Sequence, residues 1–239
     1  MGADREGIRI QAGRMRAHPL CPECNDMTDR TSLGPAPPPN GCSRTDVHNA
    51  SGDSLRQRTP DQILGPYSPV GRTPQAGCDL TITQGGQGRA QGEIIEVTGR
   101  VHNRDGEPIR GARLVIWQAN SFGRYSHPGD QNSAPLDPNF VGFARFRSDC
   151  DGWYRIRTVK PGPYPVETGW YRPPHIHFEV RSKFDRLITQ MYFAGESLNT
   201  QDRILASASR PELLIAAPAA FADRLGPRIM KFDIVLAGG

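Results

Sequence analysis

Short runs in which apolar and polar residues alternate, separated by turns rich in Gly and Pro, make up much of residues 76–239. In the clearest run, residues 95–101, an apolar residue or Gly occupies every second position. Such alternation places the apolar side chains on one face of a β-strand. Many short strands with little helix are typical of two packed sheets. We therefore predict an all-β fold, a two-sheet β-sandwich core with long loops and one or two short helices.

The other elements follow from the same signals. An Asp151-Gly152 turn separates two of the predicted strands and indicates a β-hairpin. Pro211–Leu225 is predicted as a helix, because Pro is favoured at a helix start and apolar residues lie on both sides of Pro218. Besides residues 95–101, strands are predicted over Ala112–Trp117, Val141–Phe146, Tyr154–Val159, His175–Val180, Leu187–Phe193 and Lys231–Leu236.

Residues 1–57 have a different composition, rich in Pro, Gly, Ser, Arg and Asp, with Pro-Ala-Pro-Pro-Pro at 35–39. A segment with so few apolar residues does not bury enough surface to offset its ordering entropy, so we predict a disordered or weakly ordered tail. Met27, which begins Met-Thr-Asp-Arg, is a candidate for an alternative translation start. Cys21 and Cys24 form half of a zinc-ribbon pattern, and an unstructured tail is the favoured interpretation because a second Cys pair is missing.

Charge and composition exclude several partners. The 239-residue chain carries a formal net charge of +4, too small to indicate nucleic-acid binding. No apolar run approaches the roughly 20 residues of a membrane span, and the N-terminus has no apolar core of a secretory signal. Five unevenly spaced cysteines do not form a disulfide framework, so we expect a reducing cytoplasm.

His175 and His177 are separated by one residue within a predicted strand, so both imidazoles leave the same face. Two adjacent ring nitrogens on a rigid strand are suited to metal binding. Tyr164, held between two prolines on a segment that suits neither helix nor central strand, could supply an oxygen ligand. This combination indicates a hard, oxidised metal.

Tyr125, in a polar loop after the Trp117 strand, could supply a second phenol. A phenol has a pKa of about 10, so it ionises at neutral pH only beside a strong cation. Fe(III) is such a cation, and two phenolates with one hydroxide would cancel its three charges in a buried site. Taken singly, each tyrosine is more often a packing residue and a His-x-His pair more often has no metal.

The chain resembles the intradiol ring-cleaving dioxygenases, particularly the iron-binding beta-type subunit of the protocatechuate 3,4-dioxygenase group. The resemblance covers roughly residues 58–239 in order, the part expected to form the catalytic domain. The matching segments are TPDQILGPY (59–67), VIWQAN (115–120), GRYSHP (123–128), PLDPNF (135–140), KPGPYP (160–165), RPPHIHF (172–178), LITQMYF (187–193) and FDIVL (232–236).

The resemblance implies a mononuclear non-haem Fe(III) centre with O₂ as co-substrate. Its implied ligands are Tyr125, Tyr164, His175 and His177, with Tyr164 as the axial ligand that leaves and takes a substrate proton. Tyr171 is a rival ligand by proximity, but it stands where the family carries Trp. Arg172 and Gln190 match residues that line the pocket and assist catalysis, and Trp117 and Tyr67 are further expected substrate contacts.

The implied reaction opens a catechol ring between its two hydroxyl-bearing carbons. Protocatechuate, the expected substrate, would give 3-carboxy-cis,cis-muconate in aromatic catabolism. Val166 replaces a pocket-lining Trp of the family, and the loop between Tyr164 and His175 is two residues shorter. Sulfocatechol and hydroxyquinol therefore remain alternative substrates.

The resemblance also leaves the assembly and two other functions open. An alpha-type partner subunit or a homo-oligomer is expected. A non-catalytic subunit of the same fold is disfavoured, since all four candidate ligands are present. An Fe(II) extradiol site is disfavoured because no carboxylate accompanies the two histidines.

Overall fold

The computed structural model describes residues 55–69, 78–83, 87–219 and 226–238. It confirms the predicted all-β class with long loops and few helices. Residues 1–54 of the predicted tail, with Cys21, Cys24 and Met27, lie outside the described residues. Among the described residues, no helix is long and apolar enough to cross a lipid bilayer.

Eleven strands are present in the described part of the chain. They are β1 (Ile94–His102), β2 (Arg113–Trp117), β3 (Phe143–Arg147), β4 (Trp153–Val159), β5 (Tyr164–Glu167), β6 (Trp170–Arg172), β7 (His175–Arg181), β8 (Arg186–Phe193), β9 (Ile215–Pro218), β10 (Arg228–Lys231) and β11 (Ile234–Val235). The helices are a four-residue α-helix, α1 (Arg203–Ala206), and 3₁₀ helices at Ser197–Gln201 and Pro211–Leu214.

Nine of these strands form one nearly closed sheet. Strand β1 pairs with β4 on one edge and with β10 and β11, one after the other, on the other edge, and the sheet continues in the order β10-β9-β8-β7-β2-β3. The pairing of β9 with β10 joins the β1 side to the β7 side. Strands β5 and β6 form a separate two-stranded sheet.

The core lies between the two sides of this sheet. Tyr154 of β4 packs against Phe178 of β7, with ring centroids 6.1 Å apart, although these strands are not paired. Phe178 also contacts Phe232 at 5.4 Å. Ile95 and Val97 of β1 belong to the same cluster of buried apolar side chains as Phe178 and Phe232. Burial of such side chains is the main favourable term in folding.

The hairpin predicted around Asp151-Gly152 is wrong. Strand β3 pairs with β2, and β4 pairs with β1, so the turn carries the chain from one side of the sheet to the other. The local turn is real, since the Gly152 N–H donates to the Asp149 carbonyl. A turn signal specifies a change of direction but not which strands pair.

The helix predicted over Pro211–Leu225 is also wrong where the structure describes it. Only Pro211–Leu214 is helical, and the chain then extends as β9. Strand β9 pairs with both β8 and β10, and Pro218 has no N–H with which to continue a helix. Tertiary pairing outweighs the local helix signal. Residues 220–225 lie outside the described residues.

The strand predicted over Lys231–Leu236 is divided into β10 and β11. At the break, the Asp233 carboxylate accepts a hydrogen bond from the backbone N–H of Arg100. The backbone N–H of Phe232 donates to the Thr98 carbonyl. Gly99 permits this close approach, because a Cβ there would lie 1.8 Å from the Phe232 carbonyl oxygen.

Phe178→Ala should lower the free energy of unfolding by about 3–5 kcal/mol, because it leaves a cavity where the two sides of the sheet meet. Phe184→Ala removes an equal side chain that is 68% exposed, and it should change that free energy by no more than about 0.5 kcal/mol. Urea denaturation of the two variants measures the difference. Equal losses would contradict this location of the core.

Candidate metal centre

Strand β7 carries the two histidines of the candidate site. Its alternate side chains, including Ile176 and Phe178, enter the core, whereas His175 and His177 are buried on the other face. The register places His177 opposite Trp117 of β2 and Gln190 of β8. The predicted same-face arrangement of the two imidazoles is therefore present.

The four candidate ligands come together around one nitrogen atom. The Nε2 atom of His175 lies 3.2 Å from Nε2 of His177, 3.4 Å from the hydroxyl of Tyr125 and 3.5 Å from that of Tyr164. Tyr125 is on the long loop between β2 and β3. Tyr164 begins β5, on a short two-stranded sheet rather than in the predicted loop.

Neighbouring groups set the orientation of both imidazoles. The Nδ1 of His175 is 2.7 Å from the Pro173 carbonyl, so it carries the proton and Nε2 presents a lone pair. The indole of Trp117 stacks on His177, with centroids 4.9 Å apart and planes 10° from parallel. Gly65 packs against the same ring, where a Cβ would lie 3.1 Å from Cε1.

Tyr125 is held rigidly. Its N–H donates to the Asp130 carboxylate at 2.7 Å, and its ring meets Tyr164 edge-on at 5.6 Å. The Gly162 N–H donates to the Asn120 carbonyl, which connects the loop of Tyr125 to the segment that leads into Tyr164. The two phenols therefore belong to one packed unit.

Burial keeps the four groups neutral. It lowers the pKa of His175 and His177 well below 6.5, and the Arg172 cation lowers both further. It also raises the pKa of Tyr125 well above 10 and raises that of Tyr164, with Arg172 opposing both shifts. Neutral imidazoles are the form that binds metals, and these phenols would ionise only beside a strong cation.

The donor set fits a hard trivalent cation. Metal–ligand bonds of about 2 Å place neighbouring donor atoms about 3 Å apart, close to the distances found around His175. In the described part of the chain, no cluster of three or more His, Cys, Asp or Glu side chains could hold a metal. Two imidazoles and two phenols are thus the candidate ligands there.

Arg172 and Gln190, both predicted site residues, contact each other beside the donors. Arg172 lies opposite Tyr164 in the β5–β6 pair, and its Nη2 donates to the Gln190 side-chain oxygen at 2.6 Å and to the Tyr192 hydroxyl at 2.9 Å. Its Nε donates to Asp202 at 2.6 Å. Sequence reasoning missed Tyr192, although it lies in the matching segment 187–193, and Asp202, which lies in none of the matching segments.

Trp117 and Tyr67, the other predicted substrate contacts, line an open cavity beside Tyr125. Trp117 also supports His177 through the stack, and Tyr67 packs on Tyr125 at 4.8 Å. Neither imidazole lines this cavity. Of the four candidate ligands, Tyr125 lines the cavity directly, and Trp117, which stacks on His177, lines it as well. Contact of these residues with substrate stays a prediction.

Tyr171, the rival ligand, points away from the donors. It is 50% exposed, whereas its neighbour Arg172 is buried at 3%. Alternation along β6 explains the difference, because successive side chains leave opposite faces. Val166 is likewise 50% exposed on β5, so the position where the family carries Trp lies at the surface of this chain.

A protein family described as Dioxygenase matches residues 65–238. The chain belongs to the intradiol ring-cleavage dioxygenase family. The protocatechuate 3,4-dioxygenase beta chain of Burkholderia cepacia is 40% identical over 203 residues, which cover 77% of this chain and 81% of that relative. The alpha chain of the Pseudomonas putida enzyme is 30% identical, over 77% of this chain and 94% of its own length.

Among solved structures, the dioxygenase domain of a dioxygenase–carbohydrate-binding protein fusion from Streptomyces sp. SirexAA-E matches with a TM-score of 0.59 and 29% identity. The match covers 77% of this chain and all of that domain. These matches confirm the resemblance found in the sequence.

Gly65→Ala should destabilise the protein by about 1 kcal/mol more than Gly111→Ala, because its new Cβ presses on His177. Both glycines have a positive φ, of 76° and 64°, so both variants have the same backbone cost. Gly111 has open space at its Cβ position. Urea denaturation measures the difference, and equal losses would show that Gly65 does not support the imidazole.

Proposed function

We propose that residues 58–239 form the catalytic domain of an intradiol dioxygenase that binds Fe(III) through Tyr125, Tyr164, His175 and His177. The observation that carries this proposal is the convergence of three other donor atoms within 3.5 Å of His175 Nε2, in a chain of this family. Fe(III), when bound, would serve as the Lewis acid and template for ring opening of a catechol by O₂.

The two tyrosines would have different roles. Tyr125 is buried and braced by the Asp130 carboxylate, which suits a ligand that remains in place. Tyr164 lies at the end of a small two-stranded sheet and is only half-buried. We assign to Tyr164 the role of the ligand that leaves and accepts a proton from a catechol hydroxyl, an act of general base catalysis.

Arg172 and Gln190 would stabilise the charge that develops on the ring. Arg172 is a buried cation close enough to both tyrosines to affect their pKa values. Gln190 is fixed at both ends, since its amide N–H donates to the Ile63 carbonyl while its oxygen accepts from Arg172. A pre-oriented cation in a site with little water interacts strongly with anionic charge.

Protocatechuate is the proposed substrate and 3-carboxy-cis,cis-muconate the proposed product. The 40% identity to a protocatechuate 3,4-dioxygenase beta chain supports this choice. The exposed Val166 makes a differently substituted catechol, such as sulfocatechol or hydroxyquinol, the alternative.

We further propose an alpha-type partner subunit or self-association. Three large apolar side chains near the candidate site are about half exposed: Ile63, Val166 and Tyr171. A partner that covered these side chains would remove apolar surface from water, which favours association. The similarity to both alpha and beta chains of protocatechuate 3,4-dioxygenase is in line with such an assembly.

The iron-loaded protein should absorb broadly in the visible range through tyrosinate-to-iron charge transfer. Tyr125→Phe should shift this band and lower kcat by at least about 100-fold, because it removes a phenolate ligand. Tyr171→Phe is the matched control, since Tyr171 faces solvent, and should leave band and kcat unchanged. A colourless iron-loaded wild-type protein would contradict the proposed ligand set.

Oxygen uptake with protocatechuate, catechol, hydroxyquinol and sulfocatechol tests the substrate. We expect the highest kcat/KM for protocatechuate, with mass spectrometry showing both atoms of ¹⁸O₂ in the ring-opened product. A preference for another catechol would overturn the assignment of protocatechuate and retain the reaction class. Absence of uptake with every catechol by an iron-loaded protein would overturn the proposed function.

A further inference from the structure

A buried ion pair connects the candidate site to a short helix. Arg172 is 3% exposed and Asp202 is not exposed at all, and Arg172 Nε lies 2.6 Å from the Asp202 carboxylate. A cation removed from water is costly unless a counter-charge and hydrogen bonds compensate it. Asp202 supplies that counter-charge, 30 residues away in the chain.

The Asp202 carboxylate is itself fixed by the backbone. Its second oxygen accepts from the Leu205 N–H at 2.6 Å, as the N-cap of α1. One oxygen therefore caps the helix while the other accepts from Arg172. Because both oxygens are engaged, the carboxylate presents Arg172 with an acceptor of defined position.

The guanidinium of Arg172 is held on two sides. Asp202 binds Nε, while Gln190 and the Tyr192 hydroxyl accept from Nη2. A planar group bound through two of its nitrogens has little freedom to rotate. Asp202 is the anionic member of this set, and the other two acceptors are neutral.

We propose that Asp202 is a positioning residue for Arg172, one that sets the orientation of the guanidinium toward the bound catechol without touching substrate or metal. The inference rests on the proposed function, in which Arg172 stabilises charge on the ring. The described hydrogen bonds of the Asp202 carboxylate go to Arg172 and Leu205 rather than to the four candidate ligands, although its charge also raises the pKa of Tyr164. The effect of Asp202 by direct contact should therefore pass through Arg172, and its charge effect on Tyr164 is the competing route that the double-mutant cycle tests.

Asp202→Asn tests this role with little change in shape. Asn is as good an N-cap as Asp, so the bond to Leu205 is retained while the negative charge opposite Arg172 Nε is lost. We expect kcat for the best catechol substrate to fall by about 100-fold through misorientation of Arg172. The visible charge-transfer band should be retained, because the hydrogen bonds that Asp202 accepts come from Arg172 and Leu205 and not from the four candidate ligands.

Glu196→Gln is the matched control. It removes a carboxylate from an ion pair with Lys160, just before the 3₁₀ helix that leads to Asp202, but that pair is partly exposed. We expect kcat and the band to remain as in the wild type. An equal fall in kcat for Glu196→Gln would show that any change of charge in this segment disturbs the site, and would overturn the specific role of Asp202.

A double-mutant cycle distinguishes positioning from an independent effect. If Asp202 acts through Arg172, the Arg172→Gln/Asp202→Asn variant should have a kcat within about threefold of Arg172→Gln alone. A fall equal to the product of the two single effects would overturn the proposal. Failure of the proposed function itself would be recognised separately, as an iron-loaded wild type with no oxygen uptake on any catechol.

Thermal unfolding decides the case in which Asp202→Asn is too unstable to assay. Its instability would then come from the uncompensated Arg172 cation, so adding Arg172→Gln should restore part of the lost Tm. A double variant no more stable than Asp202→Asn would show that Asp202 supports the fold independently of Arg172, and would overturn the proposal.

Discussion

The pairing of β7 with β2 on one edge and β8 on the other determines which side chains can reach the imidazoles. In this register Trp117, His177 and Gln190 form one row across three strands, and His175 and Tyr192 form part of the next. A shift of one residue in any of these pairs would exchange core-facing and site-facing side chains. The site thus depends on the same register that buries the core.

Burial affects the four candidate ligands and the Arg172 cation in different ways. It favours neutral imidazoles and neutral phenols, and it makes Arg172 dependent on Asp202 as counter-charge. The free protein therefore presents four uncharged donors beside one compensated cation. A trivalent metal would change that balance by ionising the phenols, which is why the proposed centre suits iron in its ferric form.

The sequence predicts those parts of the fold and of the candidate site that depend on local patterns of residues. Alternation predicted β1, β7 and β8 correctly, and the spacing of His175 and His177 placed them on one face. The hairpin at Asp151-Gly152 and the helix after Pro211 failed, because the pairing partners of β3, β4 and β9 come from distant segments. Periodicity did not indicate Tyr125 and Tyr164; their sequence context suggested them as oxygen ligands, and the family resemblance then implied their separate roles.

Asp202 illustrates the part that a single sequence does not reveal. It precedes a helix of four residues, which gives almost no periodic signal, and its partner Arg172 lies 30 positions earlier. Nothing in the residues around it indicates a buried charge. Only the three-dimensional arrangement shows that this carboxylate and the guanidinium of Arg172 are adjacent.

The segment before Tyr67 gives the site a particular place in the folding of the chain. Within it, Ile63 accepts from Gln190 across 127 positions, the hydroxyl of Tyr192 contacts Gln62 across 130, and Gly65 packs on His177. This segment forms none of the strands of the sheet, so its detachment would break these contacts without breaking a strand pair. We expect it to be among the first parts to detach on partial unfolding, so that metal-binding competence would be lost while the sheet is still formed.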